Sequence, residues 1–279
     1  VHLRECQIVK RFFLHLAFLC MTHSAMSFAT AVEIVRHDSA WAHPLDTDRP
    51  DVSETSNTVG KLRFQVETSA LYSRDRDTAL THDLNFPTLL RYGIAKHFEI
   101  RLESEIVGVN KMSGAPATRG VNDLAFGFKT HVCDQRGARP SVALMAHLGV
   151  PTGSGEFSAH GVEPIAKALV DWDLPGGFEL GTNWGADLPV RDANGHKPTR
   201  FLYSAAVWHD VPGTHERLKI FIENAGIVPL TPSQPAALIM NQGVVWLATP
   251  NLQFDALVQY ALTNAAPNLA TGVGVSWRH

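Results

Sequence analysis

Glu99, Glu103 and Glu105 crowd one short stretch, HFEIRLESEIVGV (97–109), and Asp171 and Asp173 do the same in ALVDWDL (168–174). Carboxylates spaced two apart on an extended chain share a face. Such clusters could exchange protons with a substrate or ligate a cation. Arg63, Arg91, Arg101, Lys129 and Lys167 fall at matching positions of similar stretches, and an enclosed compartment must satisfy its charges before it leaves any free. Ion pairing is therefore the preferred reading of these acids.

Other reactive residue types give less. The 14 histidines include no HExxH, no tight pair on a helix face and no CxxC companion. His209 and His215 flank a turn, His37 and His43 lie near the N-terminus, and solvated turn histidines explain them. GSGEFSAHG (153–161) offers Ser158 and His160 without a G-x-S-x-G elbow or a parallel-sheet unit. PTGSG (151–155) lacks the G-K-[ST] ending of a phosphate loop. No catalytic residue, metal or cofactor is expected.

The elements that must position these side chains are strands. In 97–109, Phe98, Ile100, Leu102 and Ile106 alternate with Glu99, Arg101, Glu103 and Glu105, which gives the strand an apolar and a charged face. The same period-two pattern recurs at 62–70, 84–92, 122–132, 141–150, 165–174, 178–188, 200–210, 217–226, 241–248, 251–262 and 269–279, about twelve strands in all. Most match the length of a tilted membrane strand. One face carries Leu62, Phe64, Val66, Phe98, Ile100, Leu102, Leu124, Phe126, Phe128, Val142, Leu144, Leu148, Phe178, Leu180, Trp184, Leu218, Ile220, Ile222, Leu252, Phe254, Val258, Val273, Val275 and Trp277, with no charge among them. The opposite face carries Arg63, Glu67, Arg91, Glu99, Arg101, Glu103, Glu105, Asp123, Lys129, Lys167, Asp171, Asp173, Glu179, Asp187, Lys219, Glu223, Asp255 and Arg278. In a membrane barrel the first face meets lipid and the second lines the lumen, where it would set what passes or binds.

The connections favour that barrel. Odd-numbered ones are long and polar, such as SRDRDTALTHD (73–83), NKMSGAPATRG and PTGSGEFSAHGVE; even-numbered ones are mostly short, such as GIAK, PGG and TP. An up-and-down antiparallel transmembrane barrel with its N-terminus in the periplasm alternates in this way. A soluble sandwich has no reason to. Ahead of the strands, Arg4, Lys10 and Arg11 precede the apolar run 12–21 and the small residues 29–31, the pattern of a cleaved signal peptide over 1–31. Its removal takes away three cations and one carboxylate, so the net charge moves from −3 to −5. That excludes a nucleic-acid binder. Cys133 would then be the one remaining cysteine, without a disulfide. Residues 32–57, polar and proline-containing, are expected as a periplasmic tail or a plug, and 58–279 as the barrel. The final strand, GVGVSWRH, has the form of an assembly signal for the outer-membrane machinery, with Trp277 in place of a terminal aromatic.

Several stretches together resemble the outer-membrane family named for the MetA pathway of phenol degradation: DRPDVSETSNTVGKLRFQVETS (48–69), PTLLRYGIAKHFEIRLE (87–103), GVNDLAFGFK (120–129) and LGVPTGSG (148–155). The resemblance implies an outer-membrane barrel associated with aromatic or other hydrophobic compounds, and brings no catalytic residues. With a lumen narrowed by about twelve strands, the expected function is a conduit or binding barrel for small hydrophobic solutes. Its expected partners are outer-membrane lipid, the assembly machinery and the solute. A lipid or peptide hydrolase with a site at the rim, or an adhesion barrel, is the alternative.

Overall fold

The computed structural model describes residues 44–75, 81–190, 199–230 and 234–279. The expected signal segment and residues 32–43 lie outside them. Thirteen strands follow in order: β1 (Phe64–Asp75), β2 (Thr81–Ala95), β3 (Phe98–Met112), β4 (Thr118–Gly120), β5 (Leu124–Cys133), β6 (Ser141–Val150), β7 (Glu163–Leu174), β8 (Phe178–Asp187), β9 (Arg200–Asp210), β10 (Leu218–Pro229), β11 (Ala237–Thr249), β12 (Leu252–Ala261) and β13 (Leu269–Arg278). Each long strand pairs antiparallel with its sequence neighbour, and β1 pairs with β13. The ring is thus closed by twelve strands. The short β4 is an addition to the expected set, an extra rung on the far end of β3. Among the described residues the one helical piece is a 3₁₀ turn, Gly155–Phe157.

Closure removes the unpaired edges that an open sheet would present. Local chemistry sets the details. Pro87 cannot donate to a ladder, and it sits where the register slips: Asn85 faces Gly108 and Pro87 faces Glu105, so Phe86 is opposed by Ile106 and Val107 together. The bulge leaves both of those side chains exposed. At the β7–β8 turn, Gly176 and Gly177 have φ of 84° and 76°, a left-handed conformation that glycine adopts without strain.

The ring is inverted relative to a soluble protein. On the outer wall Ile100, Phe126, Ile222, Trp246 and Val273 expose between 47% and 63% of their surface, far beyond the apolar patches soluble monomers tolerate. Inside, Glu67, Glu99, Lys129 and Arg91 expose 1% or less. Val142, expected on the exposed apolar face, is an exception at 6%. It lies beside the β5 bulge between His131 and Cys133, where the outer surface is not evenly pleated.

Candidate functional site

Residues 44–60 run through the inside of the ring before entering β1. The segment starts at the short-turn end, where the Leu45 N–H donates to the Pro250 carbonyl at 2.8 Å and the Arg278 guanidinium to Pro44 at 3.2 Å. Its middle reaches the far wall. Glu223 on β10 accepts the backbone N–H groups of Val52 (2.9 Å) and Ser53 (2.7 Å) and the Ser53 hydroxyl (2.7 Å). Ser53 and Ser204 hydroxyls meet at 2.8 Å. The Asn183 amide pairs with both backbone groups of Glu54. The chain then returns along β7 and β6, where Ser56 donates its N–H to Asp171 and its hydroxyl to Ser141. At Gly93 it leaves the interior: a Cβ there would sit 1.7 Å from the Gly60 carbonyl oxygen, so only glycine lets the strand end approach so closely.

The opposite wall, β1 to β5, holds the segment by charge. Asp48 lies among three cations, 3.4 Å from Arg91, 2.5 Å from Arg101 and 2.8 Å from Lys129. Arg91 grips Glu99 through Nε and Nη2 at 2.8 and 3.1 Å and reaches Glu67 at 3.0 Å, a bidentate geometry that fixes the fork. Glu67 in turn accepts the Asp48 N–H at 3.0 Å, and Glu99 the Val59 N–H at 2.8 Å. Asp48, Glu67 and Glu99 interleave with Arg91, Arg101 and Lys129, and Glu54 and Glu103 reach Arg101 from its edge; this pairing is what makes burial of the charges tolerable. Burial would push the Asp48 carboxyl up, but Arg91, Lys129 and Arg101 overcome it and hold Asp48 well below the usual carboxylate range. Asp51 has the opposite fate. Burial first, and the Glu223 carboxylate second, push it well above that range.

Beyond the ionic cluster, apolar side chains are interspersed among the polar ones on the other inner wall. Ala143, Met145 and Leu169 form a buried inward cluster on β6 and β7. Trp208 stacks on Phe221 with ring centroids 4.4 Å apart, and Val245 and Leu257 continue that inward face. At the short-turn end a cavity of about 850 Å³ is lined by Asp46, Lys96, Asp173, Glu216 and Arg217 among others, drawn from the segment and the turns together. Among the described residues no group of three or more His, Cys, Asp or Glu side chains is placed to hold a metal ion.

Comparison with known proteins adds a family to this geometry. Residues 47–279 match the family model described as "Putative MetA-pathway of phenol degradation". The chain belongs to that family. Among solved structures, an outer membrane channel from Pseudomonas putida F1 aligns over 80% of this chain and 98% of its own, at 10% identity and TM-score 0.64. The NanC porin aligns over 76% and 98%, at 12% identity and TM-score 0.52. These likenesses show the barrel fold of outer-membrane channels. No curated protein matches the sequence.

Within the family barrel, the singled-out charges fall into distinct places. Glu67, Arg91, Glu99, Arg101 and Lys129 converge on Asp48. Glu103 links Arg101 (2.9 Å) to the buried His147 (3.1 Å). Lys167 reaches Glu54 at 3.4 Å and Asp171 accepts from Ser56, so both meet the segment rather than each other. Glu179 pairs with Lys219, and Asp187 with Arg200. Asp255 lies 3.8 Å from Arg49. Glu105 faces inward beyond this network, next to the β3 bulge. Arg63 and Asp173 are exposed at the short-turn rim. Asp123 corrects the strand boundary: β5 begins at Leu124 rather than at residue 122, and the Asp123 carboxylate accepts the N–H groups of Gly153 (2.6 Å) and Ala159 (2.8 Å) in a long loop. Despite some desolvation, those bonds hold its carboxyl below the usual range. Asp48, Ser53, Asn183, His131 and His147 escaped the sequence reading. His131 Nδ1 lies 3.0 Å from the Ser56 carbonyl, an inward strand position that alternation alone could have flagged.

Proposed function

We propose that this protein is an outer-membrane conduit for small hydrophobic or aromatic solutes, kept shut by its own segment 44–60 acting as a plug. The short-turn end faces the periplasm and the long loops face outward, the arrangement expected of an up-and-down barrel. The observation that carries the reading is the segment itself, bonded to inward side chains of β1, β2, β3, β5 and of β6 to β10. A path for ions or solutes opens only when its tip, 50–54, withdraws from β8 to β10. The wall it would uncover bears Trp208 and Phe221 beside Glu223, Ser204 and Asn183, suited to an apolar solute with a few polar fixing points. Membership of a family named for phenol degradation supports that substrate class.

The test is conductance in planar bilayers. The full protein is expected to pass small, infrequent currents, and deletion of residues 44–57 to raise conductance severalfold while the barrel still shows heat-modifiable mobility on gels. A wide, steady pore in the intact protein would contradict closure by the segment.

A further inference from the structure

Among the described strand residues, the outward face carries one charged patch, and it sits at the long-loop end of β1 to β4. Arg74 on β1 faces His82 on β2, and His82 faces Lys111 on β3. On β4, Arg119 faces Val109, two residues before Lys111. These residues share the outward face. Their sequence neighbours Ser73, Asp83 and Asn110 hydrogen-bond to one another on the inward side, and side chains alternate. Adjacent strands lie about 4.8 Å apart, so the row brings the ends of these side chains within reach of one phosphate-bearing head group.

The surroundings argue that the cluster is not a solvated accident. At the matching ends of other strands the outward residues include Leu124, Pro164, Phe201, Leu238, Tyr260 and Leu269, none of them charged. Among the described residues Arg74, Lys111 and Arg119 have no salt bridge, and the Arg74 Nε is buried without a hydrogen-bond partner. Lys111 gives one proton to the Ala115 carbonyl at 2.7 Å, leaving two. One step toward the apolar band, Tyr72 stacks on His82 with centroids 5.9 Å apart, and its hydroxyl meets His82 Nδ1 at 2.6 Å. An amphipathic ring at this depth marks the boundary between hydrocarbon and head groups. The cations lie just beyond it.

We propose that Arg74, His82, Lys111 and Arg119 dock the phosphate groups of lipid A, the glycolipid of the outer leaflet. Guanidinium forks bind phosphate bidentately and ammonium groups bind it as point charges, while the acyl chains lie along the apolar wall below. The site rests on the orientation given under the proposed function, with the long loops outside, but not on closure of the lumen.

The probe is bisphosphorylated lipid A, compared with the same lipid stripped of both phosphates, titrated into the purified full-length protein in detergent and read by native mass spectrometry. Wild type is expected to favour the phosphorylated form at least tenfold. Arg74→Gln/Lys111→Gln/Arg119→Gln is expected to lose that preference, the exposed pair Lys111→Gln/Arg119→Gln to lose most of it, and Lys61→Gln/Arg136→Gln, at the other end, to keep it. Equal binding of both lipids by wild type, an unchanged preference in the exposed-pair variant, or displacement by an equal concentration of inorganic phosphate would overturn the docking site. So would a failure to label Ser113→Cys, in a Cys133→Ser background, from outside intact cells, because it would put the cluster in the wrong leaflet. The conductance test of closure is independent of all four results.

Discussion

The two inner walls hold the same segment by different physics. Along β1 to β5 the grip is ionic: Asp48, Glu67 and Glu99 against Arg91, Arg101 and Lys129. Along β8 to β10 it consists of one carboxylate, Glu223, one side-chain amide, Asn183, and a serine pair, set beside apolar Trp208 and Phe221. Removing one member of a buried ionic set strands the others, whereas on the far wall the charge is confined to Glu223 and each neutral bond from Asn183 and Ser204 contributes about 1 kcal/mol net. The segment is therefore anchored most heavily on the wall next to the strand it continues into, and its tip is held on the far side by fewer charges. A gate needs such a division between a fixed root and a releasable tip.

The largest expected effect breaks the ionic wall. Arg91→Met leaves Glu67 and Glu99 without their shared cation and should cost roughly 3–5 kcal/mol, seen as loss of the folded, heat-modifiable form. Asn183→Ala, which removes a neutral pair of bonds on the far wall, should leave that form intact and raise open probability in bilayers. Equal damage from the two would erase the distinction between the walls.

Next in size, and sharpening inside against outside, Ile100→Arg places a cation on the apolar outer surface one residue from Arg101. It should cost about 2–4 kcal/mol near mid-membrane. Spin labels at 98, 100 and 102 separate lipid from protein packing: strong contact with oxygen and weak contact with a water-soluble quencher are expected. Exclusion of both reagents at all three sites would mean that this face packs on protein.

A smaller effect distinguishes two neighbouring acids of the segment. Asp48, held below the usual carboxylate range by its cations, stabilises the seated state fully above that range and loses its contribution as pH falls through its own lower pKa. Asp51 is pushed above the range by burial and Glu223. Seating keeps its proton on, so its contribution is complete at acid pH and fades as pH climbs toward its raised pKa. Asp48→Asn should therefore raise open probability at neutral pH, and Asp51→Asn should lower it on the alkaline side. Bilayer recordings across pH 4 to 9 check both directions.

Much of the barrel is legible in the sequence because alternation is a local signal. Phe98, Glu99, Ile100 and Arg101 announce two faces without help from any distant residue, and the long and short connections set up and down. Strand ends were less visible. Thr118–Gly120 has too few residues to show a period, and polar strand extensions such as Thr81–Asp83 look like loop. The interior pairing was hidden for a different reason. Asp48 meets Lys129 across 81 residues and Ser53 meets Ser204 across 151, and neither contact leaves a periodic trace in the chain. Asp123 shows the same limit in reverse: it follows the pattern of the strand after it, yet its bonds go to loop amides at Gly153 and Ala159.

Closure by a releasable tip is tested most directly by locking the tip. Ser53 and Ser204 hydroxyl oxygens lie 2.8 Å apart, close enough for a disulfide in Ser53→Cys/Ser204→Cys if the backbones adjust slightly. Cys133→Ser removes the competing thiol. Single-channel recording of this variant should show near-silence when oxidised and restored activity after reduction. Identical currents in the two states would mean that the tip does not control the path, and that segment 44–60 is a fixed part of the wall.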